Sequence, residues 1–144
     1  MSAYPAPHPI PQHAPRLIWV LLGEKKGDNA QAIATAGSLG LPFQKKQLST
    51  LEAYRDRRNP PCVRPSLHRV DGPRSDTLEK PWPDLVITIG RRLSMVALWI
   101  KAQSEGKTKI VLLGAPKGCQ RSFDLVLVPN FYRATRGRLA RKNP

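Results

Sequence analysis

Acidic residues are scarce. Only 10 Asp and Glu stand against 24 Lys and Arg in 144 residues, a formal charge of +14. That imbalance points to an anionic partner, whether nucleic acid, acidic lipid surface or phosphorylated small molecule. The basic residues are spread along the chain, as they also are on a simple solubilising surface. Cysteine is almost lacking: Cys62 and Cys119 have no Cys or His at metal-ligand spacing, which excludes a zinc module and a disulfide framework and fits a reducing, cytoplasmic compartment. Histidine is equally sparse. His8, His13 and His68 assemble into no metal cluster or nucleophile relay, and no carboxylate pair is evident, so no catalytic or metal-binding residue is assigned. Aromatic content is 6%, few platforms for base stacking, and with no recognised motif nucleic acid is not the expected partner. Long apolar runs are missing too, the longest being about six to seven residues against the roughly 18 that cross a bilayer. The opening MSAYPAPHPIPQHAPR has no apolar core of a signal peptide and reads as a disordered Pro-rich arm over 1–16.

What is present is a repeated grammar. Leu17 to Leu22, LIWVLL, is a continuous apolar run closed by Gly23, the pattern of a strand buried on both faces. Asp84 to Gly90 (DLVITIG) and Lys109 to Gly114 (KIVLLG) repeat it, and Phe123 to Val128 (FDLVLV) is a further strand stopped by Pro129. Phe43 to Leu48, FQKKQL, is a more exposed strand. Between the first strand and Gly40 lies a helix with Ala30, Ile33, Ala34 and Gly37 on one stripe, with Asp28 as N-cap and Gln31 completing a capping box. After Gly90 a second helix carries Leu93, Val96, Ala97 and Ile100 at the same spacing and ends at Glu105-Gly106. The alternation predicts an α/β fold, a Rossmann-like, doubly wound, mainly parallel sheet over 17–129. Residues 49–83 break the pattern with many Arg and Pro and read as an irregular excursion, with one short helix near Leu51 to Arg57. Residues 130–144 are a basic tail.

In a parallel sheet the carboxyl ends of all strands share one edge, so the three glycine corners are expected to face one crevice. Glycine allows close backbone approach, and the helix start behind each loop supplies unpaired N–H groups and a positive dipole end. Candidate ligand residues are Gly23, Lys26, Gly27, Asp28, Asn29, Gln31, Gly90, Arg91, Arg92 and Gly114. Arg91 and Arg92 are the most suggestive, because two cations at a helix start oppose its dipole unless an anion or acid is near, and Arg forks phosphate well. Against the ligand reading, Asp28 and Gln31 also serve as a plain cap, Lys25 and Lys26 as a hydrated loop tip, and the Arg pair as a solvated surface. Trp19 and Trp99 are assigned to the core, and Trp82 to a packing lid over the sheet. The first loop is neither GxGxxG nor a P-loop, so no cofactor is indicated.

GEKKGDNAQ after the first strand, PWPDLVITIGRR further on, and Arg121 with Phe123-Asp124-Leu125-Val126 resemble the mitochondrial fission Elm-type family, whose bacterial members are often labelled nucleoside-diphosphate-sugar epimerases. The resemblance covers about 17–128. It implies a fold like that of two-lobed GT-B glycosyltransferases, with the N-terminal lobe mainly holding the acceptor and the C-terminal lobe most of a nucleotide-sugar donor. Epimerase chemistry does not fit, since the NAD-binding glycine spacing is absent from the first loop. Family members are longer, so this chain reads as the N-terminal lobe, with an anionic small molecule such as a sugar phosphate or nucleotide sugar as ligand, a separately encoded second lobe as possible partner, and no turnover by itself. The alternative is a non-enzymatic adaptor docking its basic surface on an anionic membrane or an acidic protein.

Overall fold

A computed structural model describes residues 15–58, 63–114 and 120–128. Both cysteines, the tail and nearly all of the N-terminal arm lie outside these residues. Of the arm, Pro15 and Arg16 are described, and the Arg16 backbone N–H donates to Asp84 Oδ2 at 2.9 Å beside that of Leu17 at 3.0 Å.

Five strands form one parallel sheet: β1 (Ile18–Leu22), β2 (Gln44–Gln47), β3 (Leu85–Ile89), β4 (Lys109–Leu113) and β5 (Leu125–Leu127), in the order β2-β1-β3-β4-β5. β1 is buried along its whole length, as its unbroken apolar run requires. Its side chains alternate between two cores. Ile18, Val20 and Leu22 join Ile87, Ile89 and Leu113 under helix α1 (Lys26–Ser38), whereas Trp19 and Leu21 join Val86, Ile110 and Leu112 under helix α2 (Gly90–Gln103). With one helix on each face the sheet is doubly wound, and each side chain taken out of water contributes roughly 1.5–3 kcal/mol. No helix among the described residues is long and apolar enough to cross a membrane.

The expected stripe holds in the second helix and not in the first. Leu93, Val96, Ala97 and Ile100 of α2 are all buried, and so are Met95 and Leu98, because the helix is covered from both sides. In α1 the buried residues are Ala32 and Ala36, with Ile33 packed against the same core, while Ala30, Ala34 and Gly37 face solvent. The stripe is therefore rotated from the expected one. The helix also starts earlier than expected: Lys25, not Asp28, is the N-cap, with no side-chain cap, and the Asn29 N–H already donates to Lys25 O at 3.0 Å. Asp28 is thus a first-turn residue, and the capping box with Gln31 does not form. The expected stop holds, since Gly40 adopts φ +69°, which favours glycine.

The excursion is irregular but docked. Glu52–Tyr54 forms a 3-10 turn where a short helix is expected. Thr50 and Val70 make an antiparallel bridge, and the Ser66 N–H donates to Met95 O at 3.1 Å. Val63, Leu67, Val70, Leu78 and Trp82 pack on the α2 side of the sheet, so this segment takes the place of a crossover helix between β2 and β3. Prolines prevent a regular helix there, and apolar residues at irregular spacing still supply the burial.

At the far edge, Asp124 fastens β5. Its Oδ2 accepts from the Ile110 N–H at 2.8 Å and from Lys101 Nζ at 2.9 Å. Burial pushes its carboxyl up, but the hydrogen bonds from Lys101 and Ile110 and the charges of Lys101 and Lys109 outweigh this and hold it below the ordinary carboxylate value. A depressed folded pKa means stability that is present above the unfolded value, about 3.9 for Asp, and lost as pH falls through the folded one. Asp124→Asn is therefore expected to lower stability at neutral pH and to flatten the stability profile below about pH 4. Urea melts of both proteins from pH 2 to 7 check this; an unchanged acid limb refutes it.

Candidate functional site

β1 connects to β2 on one side through α1, and β3 connects to β4 on the other through α2 on the opposite face. Between β1 and β3 the connections therefore diverge, and at such a switch point open α/β sheets bind ligands beyond the carboxyl ends of the strands. A cavity of about 100 Å³ lies there, walled by the β1–α1 loop, the start of α2 and the returning excursion.

The first wall is built around Gly23. Asn29 Oδ1 accepts from the Gly23 N–H at 2.9 Å and Asn29 Nδ2 donates to Gly23 O at 2.8 Å, a reciprocal pair that joins the end of β1 to the first turn of α1. Gln47 Nε2 donates to the same carbonyl at 2.8 Å. Both backbone groups of Gly23 are thus engaged, and its N–H does not face a ligand as the glycine-corner reading expects. A Cβ at Gly23 would lie 3.4 Å from Leu93 of α2, an ordinary van der Waals contact, so packing by itself does not demand glycine there.

The second wall is the excursion. Glu24 Oε1 accepts from the Thr50 N–H at 2.7 Å, and its other oxygen lies 3.9 Å from Arg55 Nε. Arg92 Nη1 donates to Thr50 Oγ1 at 3.4 Å and Nη2 to Arg55 O at 3.1 Å. Arg92 is therefore a brace that ties the excursion to α2. Ser66 Oγ hydrogen-bonds His68 Nδ1.

The third wall is the N-terminus of α2. Gly90 has φ +82°, Ile89 is the N-cap, no side chain caps the helix, and no acid stands in its first turn. The first N–H groups of a helix have no intrahelical partner and carry its positive end. Arg91, half-buried on the cavity, makes no hydrogen bond or ion pair with any described residue.

Of the residues singled out from sequence, Gly23, Asp28, Asn29, Gly90, Arg91 and Arg92 meet at this cavity. Lys26, Gly27 and Gln31 are exposed on α1 and do not line it; Lys25 does. Gly114 closes β4 on the same edge, with φ +128° and its N–H donated to Leu127 O at 2.9 Å, but it is not part of the cavity wall. Sequence reasoning missed Glu24, Ser49, Thr50, Ser66, Arg69 and Val70. Apart from Glu24 these come from or border the excursion, and no local signal marks them. Among the described residues no group of His, Cys, Asp and Glu is placed to hold a metal ion.

A family model described as mitochondrial fission ELM1 matches residues 26–138. The chain is 27% identical over 117 residues to an uncharacterized protein of Rickettsia prowazekii (strain Madrid E), a match that covers 78% of this chain and 31% of that protein. The chain thus corresponds to less than half the length of that curated relative. No solved structure matches.

Proposed function

The chain belongs to the mitochondrial fission ELM1 family, and on that premise we propose that it is the N-terminal lobe of a GT-B-like protein whose switch-point crevice binds a phosphate-bearing small molecule. The observation that carries this reading is Arg91: a guanidinium with no partner among the described residues, beside a helix N-terminus with no side-chain cap, both at a cavity on the edge where this sheet class binds ligands. A cation in that position opposes the dipole of α2, and an anion between them relieves the repulsion. Glu24 does not contradict the reading, because its carboxylate is held by the Thr50 N–H and Arg55. Asp28 lies in the first turn of α1, where a negative charge is favourable. The rest of a nucleotide-sugar chemistry belongs, in this proposal, to a second lobe, for which the longer relative has the length.

The test separates the two arginines. Arg91→Ala is expected to weaken phosphate-ester binding by about 1–3 kcal/mol with stability unchanged. Arg92→Ala is expected to lower stability instead, since it releases Thr50 and Arg55. Titrations followed by amide NMR shifts, with urea melts alongside, read both. Equal binding by Arg91→Ala and the parent chain removes the reading.

A further inference from the structure

Most polar groups around the cavity are already engaged with one another. Asn29 holds Gly23, Glu24 holds Thr50, Thr50 Oγ1 accepts from Arg92, Ser66 pairs with His68, and Ser49 Oγ donates to Arg74 O at 3.2 Å. Of the charged side chains on the wall, Lys25, Asp28 and Arg91 have no such partner among the described residues. Beneath this rim the wall is aliphatic, made by Leu48, Val70, Ile89, Leu93, Met95 and Val96. A ligand that enters therefore meets a rim whose free charges are Lys25, Arg91 and the carboxylate of Asp28, with Arg92 Nε a further donor that has no partner among the described residues, and below it a carbon floor.

From this juxtaposition we infer that the crevice takes an amphiphilic phosphate ester, its phosphate at Arg91 and the first amides of α2 and a short aliphatic group on the Val70–Met95–Val96 floor. The inference rests on the phosphate reading above and narrows it. A polyol such as a bare sugar would bring hydroxyls that must give up water, and each one left unpaired on a carbon floor costs free energy. Methylenes gain on the same surface. The crevice, of about 100 Å³, admits a phosphate that carries a short carbon chain.

Methyl phosphate and butyl phosphate carry the same charged group and differ by three methylenes, so the pair isolates the floor. Titrated into the 144-residue chain and followed by the Gly90 and Arg91 amides and the Met95 methyl, butyl phosphate is expected to bind about tenfold or more tighter, from burying part of that chain. Val70→Asn is expected to bring butyl phosphate down to the affinity of methyl phosphate and to leave methyl phosphate as it was. Should that variant not fold, the two ligands on the parent chain still decide. Equal affinities with an intact Arg91 dependence would overturn the aliphatic floor and leave the phosphate reading standing. Absence of any shift at Gly90 and Arg91 with either ester would sink both.

Discussion

Trp82→Ala is expected to cost about 3 kcal/mol or more of stability, within the range for truncating a large aromatic against a core. Trp82 precedes β3 and stands between two other indoles, Trp19 of β1 at 6.1 Å and Trp99 of α2 at 5.7 Å between ring centroids, with interplanar angles of 67° and 86°. Both are edge-to-face pairs, worth about 0.5–1.5 kcal/mol each beyond the area they bury. The residue thus joins the excursion, the sheet and α2, and alanine would leave a void at the junction of all three. Trp82→Phe is expected to cost clearly less than alanine, because a phenyl ring leaves a much smaller void. A phenyl ring keeps the edge-to-face contacts, and it removes an indole N–H that is buried with no partner in the structure. Urea denaturation of the two variants distinguishes a packing role from any other. Trp82 does not line the cavity, so phosphate-ester binding well below the unfolding midpoint is expected to be unchanged. Equal losses for Ala and Phe would show that the indole N–H matters and the packing argument is wrong.

Asn29→Ala is expected to lower stability by about 2 kcal/mol, the loss of two hydrogen bonds around a part-buried backbone donor. Gly23 O keeps its bond from Gln47 Nε2, but the Gly23 N–H is left without an acceptor. Asn29→Asp is the sharper probe. It retains an acceptor for the Gly23 N–H while it sets a carboxylate oxygen against Gly23 O where the amide donated. Its deficit is therefore expected to grow as pH rises through the ordinary Asp range near 4. Hydrogen exchange of the Gly23 amide provides a local readout: faster exchange in Asn29→Ala, with β3 and β4 protected as before, places the effect at the β1–α1 junction. Unchanged exchange at Gly23 would contradict the clasp.

The contrast between Asn29 and Asp28 also shows where reading a sequence stops. Both are good helix-start residues, and spacing alone favours Asp28 with Gln31 as a cap. What selects Asn29 is that it donates and accepts at once, and the backbone of Gly23 presents one group of each kind. The face turned to the sheet carries Ala32 and Ala36, four residues and so about one turn apart, and packing on the sheet selects it over the stripe that spacing suggests. The second helix was legible because its apolar positions leave no competing stripe. Arg91 and Arg92 are indistinguishable in the sequence. Both line the cavity, and their roles diverge because Arg92 is bonded to Thr50 and Arg55, far away along the chain, whereas Arg91 has no partner among the described residues.

The sequence by itself determined the strands, the doubly wound class and the edge on which the crevice opens. Those follow from short-range regularities: apolar runs that must be buried on both faces, glycines where the chain turns, and the handedness of parallel connections. Only the tertiary structure decided which residues of the excursion wall the crevice and which of the two arginines is tied to them. The excursion has no period to read, and Thr50, Ser66, Arg69 and Val70 reach the site through contacts between distant parts of the chain, where one polar group is satisfied by another that no local pattern identifies.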